Sequence, residues 1–267
     1  MSTTAETLLA EILVCPVCQG ELAGARCTSC GRIYEEGDFV PHPLPDERLR
    51  ERARLWQKLE TNGARAYELD PPSSLSIGDR DDARRFAEFA RLEGLILDIG
   101  CGPQALPSYA EGVADHFVGI DPLRGAQPRA FVFAQAIAEY LPFRDSVFDR
   151  VLFATTVDHV LFPELALAEA RRVSKSGGTI CIWFGEATPP PPPEGLRERL
   201  RRRRGIMQVV TPRATMRFRV PRGAADPFHV THPSVGRVED WLEGAGMSVV
   251  ELQQPMPHSW FVRALVP

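Results

Sequence analysis

From Gly94 onward the chain alternates short, continuously apolar runs with stretches of helical periodicity, and this rhythm constrains the fold more than any other feature. The runs are Leu95–Ile99, Phe117–Ile120, Ala130–Ala134, Arg150–Ala154 and Thr179–Phe184. Strands apolar on both sides must be covered on both faces, as in a parallel sheet flanked by helices. Pro163–Val173 supplies one helix, with Pro163 suited to its first turn. Val235, Val238, Leu242 and Ala245 form another helical face, closed by Gly246. Two strands follow, Ser248–Leu252 and Trp260–Leu265, joined through Pro255-Met256-Pro257. A link this short cannot hold a crossover, so an antiparallel member is expected at the sheet edge. The pattern predicts an α/β fold with a doubly wound sheet.

The start of the chain obeys a different constraint. Cys15-Pro16-Val17-Cys18 and Cys27-Thr28-Ser29-Cys30 are two Cys-x-x-Cys knuckles separated by eight residues. Thiolates so spaced can surround Zn²⁺ tetrahedrally, and four sulfurs leave no open position, so the metal is expected to be structural. A segment of this size cannot bury enough surface alone, and such an ion contributes on the order of 10 kcal/mol. Cys101 and Cys181 sit in apolar strand contexts and are expected to be buried bystanders.

A helix over Thr4–Leu13 leads into the knuckles, and Val40-Pro41-His42-Pro43-Leu44-Pro45 reads as a boundary. The expected units are a zinc domain at 1–45, a helical linker or cap at 46–93, and an α/β domain at 94–267. In the linker, Leu49, Ala53, Trp56 and Glu60 mark one stripe. A break falls at Asp70-Pro71-Pro72, and a second helix starts near Asp81. LLAEILVCPVCQGEL with CTSCGRIYEEGDFVPHPLP resembles the Trm112-like zinc-ribbon family, which implies a role as partner or activator of methyltransferases. The tail Gly37-Asp38-Phe39-Val40-Pro41 departs from that family's Asp-Gly-Ile-Pro pattern.

Leu95-Ile96-Leu97-Asp98-Ile99-Gly100-Cys101-Gly102 is a strand that ends in an acid and a Gly-x-Gly turn. Glycines there let the backbone approach a ligand at the carboxyl edge of the first strand. A second acid, Asp121, ends the second strand, where a carboxylate can take both hydroxyls of a ribose. Gly100, Gly102 and Ala105 also satisfy the loose dinucleotide fingerprint, so the glycines alone do not choose a cofactor. Asp98 helps to choose: an acid before the loop repels a pyrophosphate and suits a cationic amino-acid ligand.

The segments LDIGCGPQ, GIDP, AEYLPFRDSVFDRVLF and RRVSKSGGTI, in this order over residues 94–185, resemble class I S-adenosylmethionine-dependent methyltransferases of the type 11-like kind. HVTHPSVGRVEDWLEGAGMSVVEL extends the likeness to the chain end. The resemblance implies a Rossmann-like seven-stranded sheet with an antiparallel edge strand, and S-adenosyl-L-methionine as cofactor. It implies that Asp98, Gly100 and Gly102 hold the methionine part and Asp121 the ribose. Pro122 and Leu123 would flank the adenine, Ala138 and Glu139 would border its edge, and Thr155 would line the site after the fourth strand. Three positions depart from the family: Ile137 where an Asp is frequent, Gln104 for the third motif glycine, and Ser176 for a proline. A doubly wound domain without cofactor is the competing reading.

Methyl transfer from a sulfonium asks the protein to position two partners and, for a hydroxyl or protonated amine, to remove a proton. Asp158 and His159 directly follow the fourth strand, and His229 and His232 precede the late helix. Histidine titrates near pH 6.5, well placed for a base. A loop-orienting role for Asp158 or His159 and simple packing for His229 stay open. His42, His116 and His258 read as ordinary surface or strand-end residues.

Residues 187–228 interrupt the rhythm. This insertion opens with Pro189 to Pro193 and carries ten arginines between Arg197 and Arg222 against one acid, Glu198. It reads as a solvated basic flap, a lid over a phosphate- or carboxylate-bearing substrate, or an RNA-contacting arm. Arg217 and Arg219 alternate with Met216, Phe218 and Val220, which suggests a strand with one basic face and favours a lid.

The expected function is methylation of an oxygen or nitrogen of a small, anionic molecule. An rRNA or tRNA base methyltransferase is one alternative; a non-catalytic partner protein docking through the ribbon is another. A net charge of −4 and only two lysines weigh against an RNA coat. No apolar run approaches a membrane span and no signal peptide is legible, so a cytoplasmic protein is expected, with a dimer left open.

Overall fold

The structure, a computed structural model, describes residues 3–35, 37–69, 81–125, 128–186, 206–210, 215–219 and 229–267. Helix α1 (Thr3–Ile12) leads into a small hairpin, β1 (Leu22–Ala23) and β2 (Arg26–Cys27). Helices α2 (Glu47–Leu69) and α3 (Asp81–Ala90) precede β3 (Ile96–Ile99), β4 (Phe117–Asp121), β5 (Val132–Gln135) and β6 (Phe148–Ala154). Then come α4 (Pro163–Val173), β7 (Ser174–Gly185), β8 (Ile206–Val210), β9 (Thr215–Arg219), α5 (Val235–Gly244), β10 (Ser248–Met256) and β11 (Ser259–Leu265).

The main sheet has seven strands in the order β5-β4-β3-β6-β7-β11-β10. Strands β3 to β7 are mutually parallel. The tight link through Pro257 turns β11 antiparallel to both β7 and β10, and the pair closes the sheet edge as expected. The chain builds outward from β3 to β5 and then returns to lay β6 on the other side of β3. That reversal opens a crevice at the carboxyl edge, the usual ligand position in such sheets.

Both faces are covered, as the apolar strands require. Helix α3 buries Ala83, Phe86, Phe89 and Ala90 on one face, where Phe86 meets the rings of Tyr109, Trp183 and Phe261. On the other, Ala166, Leu167 and Ala170 of α4 share a core with Val238, Trp241 and Leu242 of α5. Each fully buried phenylalanine contributes roughly 2–3 kcal/mol of transfer free energy. Helix α5 is capped by Ser234, whose hydroxyl accepts the Arg237 N–H at 3.3 Å.

The connection from β3 to β4 contains two 3₁₀ turns, Ser108–Ala110 and Ala114–His116. Pro103, Pro107 and Gly112 deny it a regular helix. The glycine turn is therefore not backed by a helix N-terminus, and a ligand's charge there must be met by side chains.

The cysteine segment is built into the sheet. Leu13 bridges Phe143, the Val14 N–H donates to the Pro142 carbonyl at 3.0 Å, and the Arg144 N–H donates to the Ile12 carbonyl at 2.9 Å. The Arg144 guanidinium grips both Glu21 carboxylate oxygens at 2.6 Å. The tail joins the end of edge strand β5: the Gln135 N–H donates to the Gly37 carbonyl at 2.8 Å, and the Phe39 N–H to the Gln135 carbonyl at 2.7 Å. Ile12, Tyr34 and Phe39 pack in the same core as the sheet.

Within the arginine-rich insertion, β8 and β9 pair antiparallel, with Gln208 opposite Arg217. The strand read from the alternation around Arg217 is present, and Arg217 is exposed. Pro189–Pro193, Arg201–Arg204, Arg213 and Arg222 lie outside the described residues, as does the break at Asp70–Pro72. Among the described residues no helix is long and apolar enough to cross a membrane.

Candidate active site

Asp98 stands near the end of β3, wholly buried. Its Oδ2 accepts the Tyr109 hydroxyl at 2.7 Å, and its Oδ1 has no hydrogen-bond partner among the described residues. Burial pushes this carboxyl up to about 7, against the Tyr109 bond and the Arg129 charge that favour ionisation. A buried, unanswered carboxylate oxygen costs stability unless a ligand donor meets it.

The turn after Asp98 needs its glycines. Gly100 has a φ of +78°, and a Cβ there would fall 2.2 Å from Thr156 Cγ2. Gly102 has a φ of +71°, strained for any other residue, and faces open space. The N–H groups of Gly100 and Cys101 donate to the Ile120 carbonyl at 2.8 and 3.0 Å, which ties the turn to β4.

Asp121 ends β4. Its Oδ2 accepts the Gly102 N–H at 2.9 Å and its Oδ1 the Leu123 N–H at 2.7 Å. Burial outweighs these bonds and pushes its carboxyl up to about 6. Arg129 staples the same region: it donates to the carbonyls of Gly102 at 2.7 Å, Gln104 at 3.0 Å, Leu123 at 3.2 Å and Arg124 at 3.0 Å. Its guanidinium stacks on Phe133 at 3.8 Å. The Pro122 carbonyl is held by Gln135 Nε2 at 2.9 Å. Nothing in the sequence marks Arg129 as the residue that fastens both ligand loops.

Ala138 and Glu139 are buried beyond β5. Glu139 Oε1 accepts the N–H groups of Leu161 at 2.7 Å and Phe162 at 3.1 Å, so this carboxylate fastens the loop after β6. Helix α2 crosses above that loop: Arg52 donates to the Leu161 carbonyl at 3.0 Å, and the Arg48 and Arg52 guanidinium groups lie over the Phe162 ring. The crossing brings Glu60 among the acids. Burial first, then the charges of Asp121 and Glu139, push the Glu60 carboxyl up to about 8. The stripe places Glu60 on one face with Leu49 and Trp56; sequence periodicity does not say what that face covers.

Thr155 follows β6 with a φ of +57°, a costly conformation for a β-branched residue, and its N–H donates to the Trp183 carbonyl at 2.7 Å. Three residues on, the Asp158 carbonyl accepts the N–H groups of Val230 at 2.8 Å and Thr231 at 3.0 Å. These bonds draw the segment before α5 against the loop after β6. Asp158 Oδ2 lies 3.5 Å from His229 Nε2, and Oδ1 lies 3.9 Å from His159 Nε2. The His159 and His229 rings are 4.6 Å apart, and His232 follows at 5.6 Å from His229. The four catalytic candidates named from two distant segments thus form one cluster.

The four knuckle cysteines also converge, with all sulfurs within 4.8 Å of one another. Cys15 and Cys30 are separated by 3.8 Å and Cys18 and Cys27 by 3.5 Å. Sulfurs bound tetrahedrally at about 2.3 Å from zinc stand about 3.8 Å apart. The Tyr34 hydroxyl lies 3.1 Å from Cys15 Sγ, and the Cys30 N–H points to Cys27 Sγ at 3.4 Å, contacts that support thiolates. Cys101 and Cys181 are buried, as expected of bystanders.

Known proteins agree with this architecture. Residues 97–182 match the family described as a methyltransferase domain. An uncharacterized methyltransferase of Mycolicibacterium gilvum is 29% identical over 157 residues, covering 51% of this chain and 62% of that relative's length. The alignment thus spans less than two thirds of the relative. An S-adenosylmethionine-dependent methyltransferase of Thermotoga maritima superposes with a TM-score of 0.51 at 19% identity, over 80% of this chain and 99% of its own. The 1,6-didemethyltoxoflavin-N1-methyltransferase of Burkholderia thailandensis, solved with 1,6-didemethyltoxoflavin and S-adenosylhomocysteine, gives 0.52 at 14% identity, over 85% and 93%. The chain has the Rossmann-like fold of these methyltransferases, and the resemblance to the methyltransferase-domain family lies in its core strands.

Proposed function

We propose that this chain is an S-adenosylmethionine-dependent methyltransferase acting on an oxygen or nitrogen of a small molecule. The observation that carries the reading is the unanswered Asp98 Oδ1, buried beside an open glycine turn. The charge of Asp121 reaches both Asp98 and Glu60, and such a group of acids favours a cation. S-adenosylmethionine, when bound, supplies the electrophilic methyl group. Asp98 then receives the ligand's ammonium, Asp121 the ribose hydroxyls through its remaining lone pairs, and Pro122, Leu123 and Ala138 border the adenine. Asp158, His159, His229 and His232 face the acceptor, and an imidazole of this group removes its proton where the acceptor is a hydroxyl or ammonium. Helix α2 roofs the carboxyl edge, which favours a small acceptor over a nucleic-acid strand. The anionic character of the acceptor rests on the arginine-rich insertion alone. Cys15, Cys18, Cys27 and Cys30 hold a structural zinc that staples the N-terminal segment.

Calorimetric titration with S-adenosylmethionine and S-adenosylhomocysteine tests the cofactor assignment; micromolar binding is expected, and none below millimolar would overturn it. Radiolabelled methyl transfer to a panel of small hydroxy and amino compounds, run beside bulk RNA, tests the acceptor class.

A further inference from the structure

We infer that Asp158, His159 and His229 form a binding site for a divalent transition-metal ion, distinct from the cysteine site. Their donor atoms lie within 4.8 Å of one another, with Asp158 Oδ2 at 3.5 Å from His229 Nε2 and Oδ1 at 3.9 Å from His159 Nε2. Ligands at about 2.1 Å from an ion stand about 3.0–3.4 Å apart, so each donor has to move inward by less than about 1 Å. The rings agree: an imidazole centroid lies about 3.2 Å from an ion on its nitrogen, which puts two adjacent rings about 4.5 Å apart at octahedral and about 5.2 Å at tetrahedral angles. The observed separation is 4.6 Å.

A second observation points to a ligand. Asp158 is buried, and its Oδ1 has no hydrogen-bond partner among the described residues. The donors are also held in place, since the Asp158 carbonyl binds the N–H groups of Val230 and Thr231, next to His229. Two imidazoles and one carboxylate select a first-row transition ion such as Mn²⁺, Fe²⁺, Co²⁺ or Zn²⁺ over Mg²⁺ or Ca²⁺. Three protein ligands leave coordination positions open, in contrast to the four sulfurs of the ribbon. On the methyl-transfer reading, those positions take an acceptor oxygen and lower its pKa, and His232 is the proton acceptor that remains.

The test uses the full chain with its cysteine site loaded with zinc, titrated with Mn²⁺ in the absence of cofactor and acceptor. Free Mn²⁺ is read by electron paramagnetic resonance and total metal by elemental analysis. One further equivalent per chain is expected, not displaced by excess Mg²⁺. His159→Ala and His229→Ala should each weaken it by about 100-fold or more, beyond the roughly 10- to 100-fold that loss of a ligand's supporting partner brings. His116→Ala, at an exposed histidine elsewhere, should leave it unchanged. Mn²⁺ should also raise the melting temperature of the parent but not of the two variants, which separates lost ligation from lost folding. No second equivalent, or one that survives both substitutions, overturns the site. Because neither cofactor nor acceptor is present, that failure would leave the methyl-transfer reading standing.

Discussion

Asp121 Oδ2 accepts the N–H of Gly102 at 2.9 Å, so the acid that ends the second strand also fixes the turn that follows the first. On the proposed reading, cofactor binding and loop geometry therefore share one side chain. Asp121→Ala should weaken S-adenosylmethionine binding roughly 10- to 100-fold, the worth of charge-assisted hydrogen bonds to a ribose. Calorimetry checks it; an affinity within twofold of the parent would refute the assignment.

Binding should depend on pH in a defined direction. Asp98 and Asp121 have carboxyls pushed up by burial to about 7 and about 6. A cationic ligand favours the ionised forms, so it expels protons when it binds below these values. Affinity should rise with pH between about 6 and 7 and level off above 8. The ligand-free protein has the opposite dependence: a carboxyl with a raised folded-state pKa stabilises the fold at low pH and loses that contribution as pH rises through about 6 to 7. Titrations in two buffers of different ionisation enthalpy measure the proton release, and thermal melts across the same range measure the second effect.

Glu60 offers a test of charge at the roof of the site. At pH 8.5, above its raised value of about 8, it is largely ionised. Glu60→Gln should then weaken the sulfonium-bearing S-adenosylmethionine by about two- to fivefold more than the neutral-sulfur S-adenosylhomocysteine, a small through-space effect. Equal losses for both ligands would make Glu60 a packing residue only.

Removal of zinc should be felt throughout the molecule. Cys15 and Cys27 are buried in the core that also contains Leu97 and Ile99 of β3. Chelation, or Cys18→Ser, should lower the melting temperature by about 10 °C or more, since each kcal/mol is worth roughly 2–4 °C in a chain of this size. Calorimetry should show one transition shifting as a whole. An early separate transition, with the main one unmoved, would mean that the ribbon is an independent unit.

The strands were legible where burial on both faces leaves an apolar run interrupted only by a site acid, as in Ile96–Ile99 with Asp98 and Phe117–Asp121 with Asp121. β6 and β7 start earlier than their apolar runs because tertiary partners satisfy their polar residues: Asp149 Oδ2 accepts the Leu95 N–H at 2.9 Å and Lys175 Nζ at 2.8 Å. The acid-glycine turn and Asp121 were readable because their spacing is local to two strands. The role of Glu139 was not, because its partners, Leu161 and Phe162, lie across the fold. The same holds for Arg129 and for the face covered by α2. Periodicity reports that a side is buried; it does not report against what.

The seating of Gly37–Phe39 on Gln135 and of Leu13 on Phe143 also sets an order of events during synthesis. The cysteine segment is made before its docking surface, which emerges only some hundred residues later. Until then its thiols and apolar side chains have no sheet to rest on, and on the proposed zinc reading early capture of the ion would keep this nascent piece compact while it waits.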